Sequence, residues 1–351
     1  MAEILEGRDE SAWAALRSRM LQDRVGTLSL AVVLAYLVMI LASALGLVSA
    51  DWHREVGVPY ANPALLGDTP QPGALRSPGA RRARGAAPDL SAVDPLAPKY
   101  AEWARRTAEL KVSEPPRSLT LPWGGDRWGR DVLDKAIKGS QVSIAVGVTA
   151  ALCATLIGTL LGALAGFYGG LRNDFLEWVY NVFTSIPSIL LIFALAAVLR
   201  SGWLGQVFAG GIWTVVIILA ATGWTGMYRL VRAEYMKHRA RPYVLAAEAI
   251  GASAAARVFV HILPNVSHVI LVQLSLLVVA FIKVEVILSF LGLGVPVDMV
   301  SWGTMLAEAQ TELVIGKWWQ LAAATAFMAV FLTAFSMLTD SLRDALDPRL
   351  R

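Results

Sequence analysis

Long blocks without charge constrain this chain more than any other feature of its sequence. Five of them exceed the roughly 20 residues with which a helix crosses about 30 Å of hydrocarbon. They contain no Asp, Glu, Lys or Arg and cover 25–50, 139–171, 178–199, 201–228 and 318–339. A sixth block, 265–291, is interrupted only by Lys283 and Glu285. We therefore predict an all-α integral membrane protein with six transmembrane helices, because helices satisfy their backbone hydrogen bonds internally.

The distribution of basic residues predicts the orientation. They concentrate in both terminal tails and in the loop after the fourth span, and include Arg8, Arg17, Arg19, Arg24, Arg229, Arg232, Lys237, Arg239, Arg241, Arg257, Arg343, Arg349 and Arg351. Six crossings place these three regions on one side, which the positive-inside rule assigns to the cytoplasm. The loop after the first span is also basic, but loops longer than about 60 residues escape the rule.

The expected organisation follows from these spans. It comprises a cytoplasmic tail (1–24), an N-terminal anchor helix (25–50), an external Pro-rich loop (51–138), a transmembrane domain (139–340) with a cytoplasmic loop at 229–264, and a cytoplasmic tail (341–351). We expect little regular structure in 68–98, which is rich in Pro, Gly, Ala, Ser and Arg. Its basic run at 81–84 indicates a solvated linker, and we expect no nucleic-acid partner.

The composition offers no catalytic, cofactor-binding or metal-ligating set. Cys153 is the only cysteine, so no intrachain disulfide can form. The four histidines, His53, His238, His261 and His268, form no metal-binding or catalytic spacing. The chain also lacks a Gly-x-x-x-x-Gly-Lys-Ser/Thr loop, so we do not expect it to bind ATP phosphates itself.

Small residues recur every fourth position in the second predicted span. Ala154, Gly158, Gly162 and Gly166 share one helix face, which lets a neighbouring helix approach closely in lipid. The alternative is that glycine is simply common in membrane helices. We interpret the face as a helix-packing surface.

The cytoplasmic segment 243–265 predicts a small helical projection. Ala246 and Ala247 favour helix with little side-chain bulk, Gly251 permits a sharp turn, and Pro264 suits the first turn of the next helix. The segment resembles the cytoplasmic loop of ABC-importer permeases, whose pattern is Glu-Ala-Ala, three residues, Gly, nine residues, Ile-x-Leu-Pro. The positions that match are Ala246, Ala247, Gly251, Leu263 and Pro264, whereas Leu245 and His261 replace the usual Glu and Ile.

Further motifs are similar to those of the dipeptide, oligopeptide and nickel branch of that family, in the expected order. One position departs, since Asn181 stands where the family usually has Asp. The motifs are GGDRWGRDVL (124–133), GFYGG (166–170), GWTGMYRLVR (223–232), HILPN (261–265), LSFLGLG (288–294), SWGTML (301–306) and DSLRDALDPRL (340–350). The resemblance extends from about 125 to 351, and residues 1–120 share only an anchor span and an external loop.

The resemblance implies a type-1 ABC-importer permease with a five-helix core and an N-terminal anchor. It implies a multi-pass protein of the bacterial inner membrane, with 51–138 in the periplasm. The chain would form half of a pore with a sibling permease, in contact with membrane lipid. Two separate ATPase subunits would bind ATP and magnesium, and an external solute-binding protein would deliver the cargo, so this chain is not expected to be an enzyme. We expect peptides as cargo, with nickel, or an ATP-independent channel or secondary transporter, as alternatives.

The same resemblance assigns roles to single residues. Ala246, Ala247, Gly251, Leu263 and Pro264 are the expected coupling surface for the ATPases. Glu285 matches an acid usual before the LSFLG motif.

Charged residues lie near the end of the fifth predicted span and just after the sixth. Glu285 and Lys283 lie about 28 Å along the helix from Pro264, near the outer interface, and point to opposite sides. Either both reach water by snorkelling, or Glu285 is an outer-gate residue and Lys283 an interface anchor. At the C-terminal end, Arg343 is placed to pair with Asp340 three residues earlier.

Overall fold

The computed structural model describes residues 23–69, 94–109, 117–200, 211–296 and 298–346. Most of the expected irregular segment 68–98, the start of the fourth predicted span, residues 1–22 and residues 347–351 lie outside them. The α-helices are α1 (Arg24–Ala44), α2 (Tyr100–Glu109), α3 (Val132–Tyr168), α4 (Gly170–Ser185), α5 (Ser188–Arg200), α6 (Ile212–His238), α7 (Pro242–Ala249), α8 (Ala254–Ala256), α9 (Leu263–Phe290), α10 (Trp302–Val314) and α11 (Trp319–Leu346).

Five helical segments are long and apolar enough to cross a membrane. They are α1, α3, α6, α11 and the continuous stretch Ala254–Phe290, in which a π-helical segment (Arg257–Ile262) joins α8 to α9. The pair formed by α4 and α5 passes the same test only as one bent unit. The described residues thus contain five spans, or six if the bent pair counts as one, which agrees with the predicted helical membrane protein.

The third predicted span, 178–199, is not one straight helix. The axes of α4 and α5 meet at 91°. Ile186, the residue before Pro187, has φ −98° and ψ 132°, which is extended. Proline disfavours helical conformation in the residue before it and has no N–H to donate, so the helix stops and restarts here. The third predicted span is therefore a bent pair of helices.

The predicted boundaries shift at other places. The anchor helix α1 ends at Ala44 rather than at residue 50, and α3 begins at Val132 rather than at 139. Helix α6 continues to His238, so the first part of the predicted loop 229–264 is the end of a helix. The two extensions, of α3 and α6, include charged residues, which hydropathy alone assigns to loops.

Helix α1 packs along α11. The Tyr36 hydroxyl donates to the carbonyl oxygen of Phe327 at 2.9 Å. The Tyr36 ring also contacts Phe331, with ring centroids 5.2 Å apart. At the start of α1, the Ser341 hydroxyl donates to the Asp23 carboxylate, which caps the helix through the backbone N–H of Val25. The N-terminal anchor is therefore attached to the last helix along its length.

The segment His53–Val132 is a separate compact unit. Its strands β1 (Gly57–Pro63) and β2 (Ser118–Leu121) are parallel, with Gly57 opposite Ser118 and Pro63 opposite Leu121. In the GGDRWGRD motif, the Asp126 carboxylate accepts from the backbone N–H groups of Trp128 and Arg130 at 2.8 and 2.9 Å. The prediction of an all-α chain did not include this small sheet.

The face of small residues on α3 lies against α6. A Cβ atom built on Gly158 would be 2.6 Å from Met227 Cβ, one on Gly162 would be 2.7 Å from the Tyr228 carbonyl oxygen, and one on Gly166 would be 2.5 Å from the Arg232 carbonyl oxygen. Ala154 is fully buried on the same face. The two backbones thus approach closely over about two turns of α3, as small residues permit.

Candidate functional site

The connection between α6 and α9 folds as two short helices joined by a turn. Helix α7 begins after Arg241, whose backbone is extended, and has Pro242 in its first turn. At its end, the N–H groups of Ile250 and Gly251 donate to the carbonyl oxygens of Ala246 and Glu248 at 3.1 and 2.9 Å. Gly251 has φ +86°, a left-handed conformation that glycine adopts without strain. This glycine reverses the chain between α7 and α8.

The structure divides the predicted coupling residues between two sides of this connection. Ala246, Gly251 and Pro264 are exposed. Ala247 is only 4% exposed and Leu263 is half-buried. Ala246 and Gly251 thus belong to the outer surface, whereas Ala247 packs α7 onto the rest of the chain.

Two residues of the outer surface were not predicted. Leu245 is 52% exposed and Ile250 is 86% exposed, beside Ala246 and Gly251. The only signal for them in the sequence is that both are large apolar side chains in a segment rich in alanine. We refer to Leu245, Ala246, Ile250 and Gly251 as the outer surface of α7. An exposed apolar projection of this kind is typical of a protein–protein contact.

One arginine links α7 to the end of α3. Arg257 Nη1 lies 2.6 Å from Glu248 Oε2 on α7. The Arg257 guanidinium carbon also lies 5.3 Å from the centroid of the Phe167 ring on α3. We call Arg257, Glu248 and Phe167 the arginine link. Sequence reasoning counted Arg257 only as one of the cytoplasmic basic residues, because these contacts depend on the tertiary fold.

The end of α6 holds the connection from the other side. The Tyr235 hydroxyl donates to the Val258 carbonyl oxygen at 3.2 Å. The Tyr243 hydroxyl lies 2.8 Å from His238 Nδ1, and partial burial raises the pKa of Tyr243, so the hydroxyl keeps its proton. Together with the arginine link, these contacts hold α7 against two long helices.

Reversal of one charge in the arginine link is expected to uncouple α7 from α3. Arg257→Glu should lose the ion pair and the cation–π contact, which together stabilise the fold by about 1–2 kcal/mol because Glu248 is largely exposed. We expect transport activity to fall several-fold. The double variant Arg257→Glu/Glu248→Arg restores opposite charges and should recover part of it. Equal activity of the single and double variants, measured in proteoliposomes, would argue against the link.

The second candidate residue, Glu285, lies inside the protein. Its side chain is 0% exposed, and its Oε1 accepts from the Ser289 hydroxyl at 2.7 Å. The same Ser289 oxygen accepts from the Val295 N–H at 3.1 Å. Glu285 therefore does not snorkel to water, and that expectation was wrong for this residue. Lys283 is exposed, as expected of an interface anchor. The role of Glu285 as an outer-gate residue stays a prediction.

Glycines of two predicted motifs pack against Ser289, the hydrogen-bond partner of this carboxylate. A Cβ on Gly294 would be 2.1 Å from Ser289 Oγ, and one on Gly303 would be 2.5 Å from Ser289 Cβ. The N–H of Trp302, in the same motif as Gly303, donates to the Ser143 hydroxyl of α3 at 3.2 Å. The LSFLGLG and SWGTML motifs therefore meet around Ser289 and Glu285.

Replacement of Glu285 separates the gate hypothesis from a packing role. Glu285→Gln keeps an oxygen that accepts from Ser289, so we expect unchanged thermal stability and a several-fold loss of transport. Glu285→Leu leaves the Ser289 hydroxyl without this acceptor, and should lower stability by about 1–3 kcal/mol. Lys283→Gln is the matched control on the same helix. Wild-type uptake by Glu285→Gln would refute the gate and leave only packing.

A buried polar cluster joins three helices that sequence reasoning did not connect. Lys135 of α3 is 1% exposed, and its ammonium lies 2.5 Å from Glu308 Oε2 of α10 and 3.1 Å from Gln320 Oε1 of α11. The Gln320 amide also donates to the Met305 carbonyl oxygen at 3.2 Å. Since these residues are 173 and 185 positions apart, no local pattern indicates that they meet.

The predicted pair at the C-terminal end does not form. Arg343 has no ion pair with Asp340 or with any other residue that the structure describes. Arg343 instead lines a cavity between α6, α9 and α11. Within the described ranges, no group of three or more His, Cys, Asp or Glu side chains is placed to hold a metal ion.

Comparisons with known proteins agree with this architecture. Residues 158–351 match the model of a family described as "binding-protein-dependent transport system inner membrane component". The oligopeptide transport system permease protein OppC of Bacillus subtilis is 34% identical over 256 residues, 73% of this chain and 81% of its own. The dipeptide transport system permease protein DppC of the same organism is 36% identical over 236 residues, 67% and 71% of the two chains.

Two further matches complete the comparison. OppC of Escherichia coli K12 is 34% identical over 258 residues, 73% of this chain and 82% of its own. A solved chain of the MetNI methionine ABC transporter, in an inward-facing conformation, has a TM-score of 0.41 and 17% identity, over 56% of this chain and 96% of that one.

Proposed function

We propose that this chain, which belongs to the family of binding-protein-dependent transport system inner membrane components, forms half of the translocation pore of an ATP-driven peptide importer. The observation that carries the proposal is the family match over 158–351, because it includes the whole α6–α9 connection. The relatives named above are permease proteins of oligopeptide and dipeptide transport systems, which supports short peptides as the solute.

The outer surface of α7 is the proposed contact with the ATPase subunits. It exposes two large apolar side chains, Leu245 and Ile250, beside two small residues, Ala246 and Gly251. Apolar side chains at the centre of a contact exclude water and provide much of its affinity. ATP and magnesium would be bound by the ATPases, and this chain would contribute the docking surface.

The attachments of α7 suggest how movement of the ATPases reaches the membrane. Arg257 joins α7 to α3, and Tyr235 joins the following segment to α6. A displacement of α7 therefore acts on both long helices together, because packed elements move as rigid bodies rather than deform continuously. Helices α3 and α6 in turn approach each other closely through Gly158, Gly162 and Gly166.

The remaining parts of the proposal concern assembly and location. A sibling permease would supply the other half of the pore, and an external binding protein would deliver the peptide. We place the chain in the bacterial inner membrane with both termini in the cytoplasm, because the basic tails and the basic α6–α9 connection then share that side.

Reconstitution tests this function directly. The chain is purified with its sibling permease and two ATPases, inserted into proteoliposomes, and supplied with binding protein and a panel of short peptides and nickel. We expect ATP hydrolysis to rise, and solute to accumulate, only with a loaded binding protein and a peptide. ATP hydrolysis stimulated by nickel and not by any peptide would identify nickel as the substrate. Uptake by this chain without ATP would refute the importer and favour a channel or secondary transporter.

A further inference from the structure

A cavity of about 330 Å³ opens between α6, α9 and α11. Its polar lining comes from His268 and Gln273 of α9 and from Arg343 of α11, and its apolar lining includes Leu230 of α6. No lining residue is acidic. The volume is at the small end of the range for small-molecule sites, about 300–1,000 Å³, and such sites combine apolar walls with a few convergent polar groups.

The three polar side chains of this cavity retain their hydrogen-bonding capacity. Among the residues that the structure describes, Arg343 forms no ion pair, and neither His268 nor Gln273 forms a hydrogen bond through its side chain. A guanidinium presents its donors in a planar fork that matches a carboxylate, while an amide and an imidazole N–H add further donors. An anionic ligand is therefore the chemical class that this lining fits.

The cavity lies outside the faces of α6 and α9 that contact α3. On α6, Leu230 is roughly a third of a turn from the stripe of Met227, Val231 and Tyr235 that faces α3. On α9, Gln273 lies nine residues before Ile282, the residue against Gly147 of α3, which is about half a turn around the helix.

The depth of Gln273 in the membrane indicates whether the cavity faces lipid or a polar environment. It lies nine residues beyond Pro264, about 14 Å along α9 at 1.5 Å per residue. Polar side chains at such depth in a membrane face protein or a water-filled path rather than lipid tails. The side of the bundle that carries the cavity is therefore suited to line a water-filled solute path.

We propose that this cavity is a subsite for a carboxylate group of the transported solute at the cytoplasmic end of its path. The inference rests on the proposed function and specifies how the chain contacts its cargo. Arg343 pairs with the carboxylate, Gln273 and His268 donate hydrogen bonds to it, and aliphatic residues such as Leu230 and Leu276 contact the apolar part of the solute. The cavity is open to one side, so the solute can leave it.

The test compares one peptide in two chemical forms. Complete transporters in phosphatidylcholine vesicles, with one binding protein throughout, are given trialanine with a free C-terminal carboxylate or trialanine C-terminal amide. Because the binding protein is constant, its own preference cancels when variants are compared. We expect Arg343→Gln to lower the ratio of carboxylate to amide uptake by roughly tenfold, the loss of one charge-assisted contact. Gln273→Leu should lower it less, and Lys283→Gln, a cation of α9 outside the cavity, should leave it unchanged.

Each other outcome overturns the subsite. If Arg343→Gln and Gln273→Leu slow both peptides equally, the residues do not recognise the carboxylate. If the variants change uptake only when phosphatidylglycerol is added, and equally for both peptides, the cavity holds a lipid phosphate. Absence of ATP-driven uptake by the wild-type transporter refutes the proposed function itself, and the subsite with it; the wild-type control separates that result from the others.

Discussion

Replacement of Gly162 by leucine is expected to prevent this chain from accumulating as folded protein. A Cβ atom at this position would lie 2.7 Å from the Tyr228 carbonyl oxygen, 3.0 Å from Val231 Cβ and 3.1 Å from the Arg232 N–H nitrogen. All three belong to the backbone or the first side-chain atom of α6, so no rotamer change relieves the clash. Insertion of bulk into a packed interface typically costs 1–3 kcal/mol, and we expect at least about 3 kcal/mol here.

The measurement is the yield of monodisperse protein after detergent extraction, together with its thermal midpoint. Gly226 offers a matched control, because it lies in α6 and a Cβ there has only the Gln273 amide nitrogen within reach, at 3.9 Å. We expect Gly226→Leu to retain the wild-type yield and Gly162→Ala to be intermediate. A wild-type yield and thermal midpoint for Gly162→Leu would show that α3 and α6 do not pack as described.

Replacement of Gly251 by tryptophan is expected to abolish transport while the chain still inserts and folds. A Cβ built on Gly251 meets no atom of the described residues within 4 Å, so they leave room for a side chain there. The cost within the chain comes from φ +86°, which strains residues other than glycine by about 1–2 kcal/mol. The indole would project from the outer surface of α7 and hold the ATPase away. We expect uptake to fall by at least about tenfold, the equivalent of 1.4 kcal/mol of lost docking free energy.

The control for this variant must keep the backbone conformation and omit the bulk. Gly251→Asn serves, because asparagine is among the residues that adopt left-handed conformations most readily. We expect Gly251→Asn to keep most of its uptake and to co-purify with the ATPases, and Gly251→Trp to lose both. Normal uptake by the tryptophan variant would contradict a docking role for this turn.

The connection between α6 and α9 shows how far sequence reasoning reached. Ala246, Ala247, Gly251 and Pro264 were found from residue type and spacing, because a tight turn and a helix start place local demands on the chain. The same reasoning did not separate Ala246, which is exposed, from Ala247, which is buried. That difference depends on which side of α7 packs against the rest of the protein.

For two charged residues, sequence reasoning did not identify the surroundings of the side chain. Glu285 was predicted at an outer interface, yet its side chain is fully buried and accepts from the Ser289 hydroxyl. Arg343 was expected to pair with its neighbour Asp340, but it lines the cavity instead. The position of a residue along its helix sets the direction of its side chain. Which groups that side chain contacts depends on how the other helices pack around it.

By itself, the sequence determined that this protein crosses a membrane as a set of helices, and predicted which side its basic segments occupy. These properties follow from hydrophobic length and charge within each segment, because a helix satisfies its own backbone hydrogen bonds wherever its neighbours lie. Only the tertiary structure decided the Lys135 cluster, the arginine link and the cavity beside Arg343. The contacts among them join residues far apart in the chain, whose meeting depends on the packing of whole helices and leaves no local pattern.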